Sequence, residues 1–330
     1  MTLVPADRIV VRAPNWLGDV ILSLPAVRDL RRVYPASRLH VLARPAVAAL
    51  YEAAPEIDAV IEARDARAEI RAMSHGFDLA ILLTNSLGTA LCATLGGVPE
   101  RWGYGTEGRG LFLTRSAPVP ASVSGRSQVH YYRRMLAAMG VPTSDGLDTS
   151  LIPPPAWTEA GRSLLGSAEP FVGIAPGAAK GSAKQWPPER FAEVADRLSA
   201  EMGARVVLLG AAKDAGAADE VSRAMKSPAL NLCGRTDLRA FAGVVSGLQA
   251  LVANDSGAMH LGAALGIPTV GVFGPTNPDE THPVGRRATF VRGVADCSPC
   301  RHVTCPIDHR CMTSIAPASV VDLLLREVRS

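Results

Sequence analysis

The feature that most constrains this chain is a rhythm that occurs twice. Short apolar or β-branched runs end at Gly, Pro or Asn and open directly into stretches with apolar residues three and four positions apart. In the first half, Arg8 to Arg12 reads as a strand, and Ala13 to Gly18 as a turn containing Pro14, Asn15 and Gly18. Asp19 to Val33 reads as a helix, with Val20, Leu24, Val27 and Leu30 on one face and Pro35 just beyond its end. Strands are expected again at Arg38 to Ala43 and Leu79 to Leu83. Val129 to Met139 is expected to be a helix closed by Gly140.

The second half repeats the pattern. Strands are expected at Phe171 to Ala175, Arg205 to Leu209, Leu251 to Ala253 and Thr269 to Phe273, and helices at Pro187 to Met202 and Ser256 to Leu265. Alternation of this kind implies parallel sheets joined by right-handed crossovers. Pro118 to Ser127 is rich in small residues and reads as a loop, and Pro153, Pro154 and Pro155 suit a semi-rigid connector. The expected division is a first domain over 1–155 and a second over 156–316. An amphipathic helix over 317–330 is placed so that it can pack back on the first domain.

Length and composition agree with two α/β domains. The chain has 330 residues, of which 48% are hydrophobic and 20% charged, enough for buried cores and unlike a disordered segment. Aromatic residues are 5%, so Ala, Val, Leu and Gly must fill the cores, which disfavours a β-sandwich. The 34 Lys+Arg against 31 Asp+Glu give a net charge of +3, too even to indicate nucleic acid. Met1 to Asp7 is short and polar, so no secretory signal is read there. Leu79 to Val98 is uncharged and of spanning length, but Thr84, Asn85, Ser86, Gly88, Thr89, Thr94, Gly96 and Gly97 interrupt it. It is expected to form a buried strand, a turn and a small-residue helix, in a cytoplasmic protein.

Three strand-to-helix junctions carry chemistry, and such junctions are where open α/β sheets bind ligands. Ala13 to Asp19 lacks the G-x-G-x-x-G fingerprint, which argues against a dinucleotide. Asp19 either complements the helix dipole or serves as a general base. Ala175 to Pro187 contains Gly177, Lys180, Gly181 and Lys184, a cradle of free backbone N–H groups and point charges suited to phosphate. Asn254 to His260 runs from a strand into a helix start, where the N–H groups of Ser256 and Gly257 can receive a diphosphate and Asp255 can accept from sugar hydroxyls. His260 lies one turn in, on the face of Ser256. The plainer alternatives, Asp255 as a helix cap and His260 as a core histidine, remain open at this stage.

Four of the six cysteines fall in Cys297-x2-Cys300-x4-Cys305-x5-Cys311, with His302 and His309 among them. In a cytosolic chain this clustering points to thiolate ligation of a structural zinc, with reduced thiols, or two local disulfides formed on oxidation, as the alternative. Cys92 and Cys233 stand alone and read as buried hydrophobes.

Taken in order, several stretches resemble the ADP-heptose:lipopolysaccharide heptosyltransferases, within glycosyltransferase family 9, and more closely the heptosyltransferase II branch. They are Arg12 to Asp19, Pro176-Gly177 through Lys184-Gln185-Trp186-Pro187, Gly210 to Asp214, Asn231 to Thr236, Asn254 to His260 and Gly274-Pro275-Thr276. The cysteine-rich tail resembles that of many members of this branch. The resemblance implies a GT-B architecture, two Rossmann-like domains facing a central cleft. It also implies a donor, ADP-L-glycero-β-D-manno-heptose, and an acceptor, the inner core of lipopolysaccharide on lipid A.

Residue by residue, the resemblance makes Asp19 the base and Lys184 a contact to the donor phosphates. Asp255, Ser256, Gly257 and His260 become the holders of diphosphate and heptose. Asp214 would bind ribose, and adenine would lie near Thr236. Some relatives carry hydroxyl residues where this chain has Ala179 and Lys180, which leaves Lys180 to replace them. Asn15, Trp16, Arg12 and Arg101 are candidate acceptor contacts, with Arg44 and Arg109 as further basic candidates.

The implied reaction is an inverting transfer that requires no cofactor, on an enzyme that is peripheral at the inner face of the inner membrane. Two rivals stand beside it: a transferase of the same fold using another nucleotide-sugar, and a nucleotide-binding protein without turnover.

Overall fold

A computed structural model describes residues 3–119, 127–166, 170–179 and 181–330. The chain divides into two compact units, Met1–Ile152 and Pro153–Ser330. Each contains one six-stranded sheet in which every pairing is parallel.

The first sheet comprises β1 (Arg8–Arg12), β2 (Arg38–Ala43), β3 (Ala59–Glu62), β4 (Leu79–Leu82), β5 (Glu100–Tyr104) and β6 (Arg115–Ala117), in the order β3-β2-β1-β4-β5-β6. The second comprises β7 (Phe171–Ala175), β8 (Arg205–Leu208), β9 (Ala229–Asn231), β10 (Ala250–Asn254), β11 (Thr269–Phe273) and β12 (Ala288–Arg292), in the order β12-β11-β10-β7-β8-β9. Read from the opposite edge, the second order repeats the first, and both are the doubly wound arrangement. The chain reverses direction across the sheet between β1 and β4 in one unit and between β7 and β10 in the other. The register places Arg12 beside Leu82, and Ala175 beside Ala253. The loops leaving β1 and β4, and those leaving β7 and β10, are therefore neighbours at the carboxyl ends of their sheets, where such folds bind ligands.

The central strands β4, β7, β10 and β11 are buried along their whole length, as strands covered by helices on both faces must be. The uncharged stretch from Leu79 to Val98 forms β4, a turn and the Leu87–Leu95 helix, as expected from its small and polar residues. Among the described residues no helix is long and apolar enough to cross a membrane. Most of the expected loop from Pro118 to Ser127 lies outside the described residues.

One expectation changes. Pro155 is not part of a connector: it opens the Pro155–Leu165 helix, because its fixed φ and missing N–H are harmless in a first turn. The Pro317–Arg329 helix packs on β10, β11, β12 and the Pro188–Met202 helix of its own unit. Its fully buried Val320, Val321 and Leu324 join the apolar cluster of that sheet. At about 1.5–3 kcal/mol for each large apolar side chain, this burial accounts for where the helix docks.

Candidate active site

The β7 and β10 loops meet through Asn254. Its buried amide donates to the Pro176 carbonyl (2.7 Å) and accepts the Trp186 N–H (3.1 Å), so one side chain ties both ends of the phosphate loop. An amide suits this place because it offers a donor and an acceptor together. Lys184 Nζ then reaches Asp255 Oδ2 at 2.5 Å, and Thr276 Oγ1 donates to the same oxygen at 2.8 Å. Sequence alone gave Lys184 and Asp255 separate tasks; the structure makes them a largely buried ion pair.

Next to this pair begins the Gly257–Ala264 helix. Ser256 is its N-cap residue, yet its side chain makes no capping bond, and among the described residues the buried Ser256 Oγ has no hydrogen-bond partner. Asp255, expected as a possible cap, is engaged elsewhere. The helix start thus presents N–H groups and its positive dipole end, an arrangement suited to a phosphate. His260 is buried, and its Nδ1 also has no partner among the described residues. Burial lowers its pKa to about 4, with Lys184 and His282 adding to the fall and Asp255 opposing it. The imidazole is therefore neutral at pH 7.

Gly177 lies against Asp214: a Cβ there would come within 2.3 Å of the Asp214 carboxyl carbon. Asp214 Oδ2 accepts the Ala211 N–H at 3.0 Å. Gly234, at φ +73°, brings the next loop onto Ala212, and its N–H donates to the Gly210 carbonyl (2.9 Å). Half-buried Thr236 follows on that loop. The structure thus sets Gly177 and Asp214 in contact and holds the loop before Thr236 against the segment that bears Asp214. Lys180 lies outside the described residues.

In the first unit Asp19 is the third residue of the Leu17–Val33 helix and is half-buried. Its charge adds to burial in raising the phenols of Tyr51 and Tyr132, which places all three groups near one another. Trp16 is 51% exposed and Asn15 is exposed beside it. Arg12 is 1% exposed. Its guanidinium holds Glu69 (2.7 Å), the Ala13 carbonyl and Asn15 Oδ1 (3.0 Å), so it shapes the loop in place of the expected acceptor contact. Arg109 is fully buried on the carbonyls of Tyr104 and Thr84. Arg101 holds the carbonyls of Phe112 (2.7 Å) and Val98 (2.5 Å). Carbonyls left without ladder partners beside these loops require donors, and arginine supplies several from one side chain. Arg44 keeps a partly exposed side chain, 3.9 Å from Glu69.

Cys297, Cys300, Cys305 and Cys311 are free thiols that line one cavity of about 60 Å³. Among the described residues no group of three or more His, Cys, Asp or Glu is placed to hold a metal ion. His309, expected as a spare ligand, uses Nε2 on the Ala183 carbonyl (2.7 Å). A larger cavity of about 420 Å³ lies between the Ser182 to Pro188 segment and the Thr304 to His309 part of the tail.

Sequence reasoning gave no separate role to Asn254, Thr276 or His282. The signal for the first two was present: each sits where a central strand runs out, and each is polar where the preceding residues are apolar. His282 offers no such signal, being close to His260 only in the folded chain.

Comparison with known proteins agrees with this geometry. The profile of glycosyltransferase family 9 (heptosyltransferase) matches residues 67–310. The chain is 30% identical to lipopolysaccharide heptosyltransferase 2 of Escherichia coli K12, over 97% of this chain and 99% of that protein. It is 32% identical to the Salmonella typhimurium LT2 protein of the same name, over 96% and 97%. The structure of E. coli ADP-heptose LPS heptosyltransferase II superposes with a TM-score of 0.83 at 28% identity, covering 98% of each chain. Two parallel six-stranded sheets with flanking helices are thus the α/β fold of the GT-B heptosyltransferases, and this chain is an enzyme that belongs to glycosyltransferase family 9, the heptosyltransferases.

Proposed function

We propose that this enzyme moves L-glycero-D-manno-heptose from ADP-heptose to the inner core of lipopolysaccharide, with inversion. One observation carries the donor half. Lys184, Asp255 and Thr276 cluster at a helix start whose cap side chain is unused, with Ser256 Oγ and His260 Nδ1 buried beside it without partners among the described residues. Such a place suits a diphosphate and a sugar rich in hydroxyls.

In the proposed reaction Asp19 removes the proton of an acceptor hydroxyl, and that oxygen attacks the anomeric carbon. The bond from that carbon to the phosphate oxygen breaks, and its electron pair leaves with ADP. Lys184 and the amides of Ser256 and Gly257 stabilise the charge that develops on the diphosphate. Asp255 and His260 face the heptose hydroxyls, Asp214 takes the ribose, and Thr236 lies by the adenine. Lys180 adds a second cation to the phosphate loop. Exposed Asn15 and Trp16 meet the acceptor, whose lipid brings the enzyme to the cytoplasmic face of the inner membrane.

The four thiols of the tail have the donor chemistry of a structural zinc site. We propose that zinc draws them together, which metal analysis of freshly purified protein tests: zinc well below one equivalent per chain removes the ion from the scheme.

The decisive assay is mass spectrometry of products from ADP-heptose and a truncated core acceptor that bears heptose. A mass increase of one heptose on the acceptor is expected. Turnover with UDP- or GDP-sugars and none with ADP-heptose would replace the donor, and ADP binding without product from any donor would favour a non-catalytic role.

A further inference from the structure

Ala183 directly precedes Lys184, and the cysteine-rich tail holds both of its backbone polar groups. Its N–H donates to the Val303 carbonyl (3.1 Å), and its carbonyl accepts from His309 Nε2 (2.7 Å). A carbonyl can only accept, so His309 bears a proton on Nε2. Contact is tight here: a Cβ on Gly181 would lie 2.1 Å from the Val303 carbonyl oxygen.

The tail grips a second loop in the same way. Ser298 Oγ donates to the Gly274 carbonyl (2.6 Å), and the Arg301 N–H donates to the Pro275 carbonyl (2.9 Å). Pro275 directly precedes Thr276. The two side chains on Asp255, Lys184 and Thr276, therefore each follow a residue whose backbone is bonded to the tail. Irregular loops have no ladder partners for these groups, and the tail supplies them.

We propose that His309 is a positioning residue for the donor site: through Ala183 it fixes the direction from which Lys184 meets Asp255 and the diphosphate. The inference rests on the donor assignment above and gives the tail a task in the transfer that does not require it to touch the substrate.

The test measures ADP affinity by calorimetry, and KM and kcat for ADP-heptose, in the wild type, His309→Ala and His309→Gln. Melting temperatures report whether each variant is folded. Loss of one hydrogen bond should weaken ADP binding and raise KM about fivefold in His309→Ala, with kcat changed less. Gln carries an N–H that can reach the same carbonyl and should restore most of the affinity. Ser298→Ala, at the second loop, should weaken ADP about threefold and decides the matter if His309→Ala fails to fold. A folded His309→Ala variant that binds ADP as the wild type does overturns the proposal and leaves the donor assignment standing. Equal impairment of the Ala and Gln variants overturns it too. A wild type that binds no ADP defeats the donor assignment and this inference with it.

Discussion

Lys184 Nζ lies 2.5 Å from Asp255 Oδ2, and the two side chains are only 18% and 6% exposed. The lysine comes from the loop after β7 and the aspartate from the end of β10, and the register of those strands brings them together. A cation held in this way is in place before any ligand arrives. Its pairing also keeps the carboxylate from being buried alone.

Lys184→Ala should cost about 2–4 kcal/mol of stability, because a nearly buried carboxylate loses its counter-ion. It should also lower kcat/KM by about 10²–10³ if the lysine stabilises the leaving diphosphate. Asp255→Asn alone should be milder in denaturant melts, and the double variant should recover part of the stability lost with lysine. Additive losses would show that the two groups are not coupled.

Asp19→Asn should reduce turnover by about 10²–10⁴, the usual contribution of a general base. ADP affinity should stay near that of the wild type, because Asp19 belongs to the unit whose loops are assigned to the acceptor. Product formation followed by mass spectrometry, with ADP calorimetry alongside, checks both parts. Unchanged turnover removes Asp19 from the role.

Stability should fall with acid through His260. Its pKa is lowered to about 4 in the folded chain from the ordinary 6.5. Between those values the unfolded chain binds a proton that the folded chain does not, so stability declines as pH drops through this window. The loss approaches about 3 kcal/mol below pH 4. Melts of the wild type and His260→Met over this range should differ in slope, the variant being flatter. Parallel curves would mean that His260 is not the group responsible.

Gly177→Ala should weaken ADP binding about tenfold or more, since the added Cβ would meet the Asp214 carboxyl carbon at 2.3 Å. Either the phosphate loop or Asp214 must move, and the Ala211 N–H would lose its acceptor. The melting temperature should fall by only a few degrees, because the site lies at a loop and not in the core. Wild-type ADP affinity in this variant would show that the contact is not part of the donor site.

Much of the fold was legible because its signals are local. The strands Arg8–Arg12, Arg38–Ala43, Phe171–Ala175 and Thr269–Phe273 agree with their β-branched or apolar runs, and the helices Leu17–Val33 and Pro188–Met202 are marked by proline, glycine and apolar spacing. The strands Ala59–Glu62, Arg115–Ala117 and Ala229–Asn231 were not, being short and only partly buried. Their alternation is too brief to stand out from the loops around them, and pairing with a neighbouring strand defines them.

Sequence by itself determined the alternating α/β layers, the three strand-to-helix junctions, and the order of motifs that resembles family 9. Hydrophobic period and turn chemistry act over a few residues and can be read along the chain. Only tertiary structure decided that Lys184 pairs with Asp255, that Arg12 and Arg109 are internal supports, and that His309 holds Ala183. Each of these depends on strand register or on the docking of a distant segment, where burial and the demand for hydrogen-bond partners, rather than local spacing, choose the neighbour.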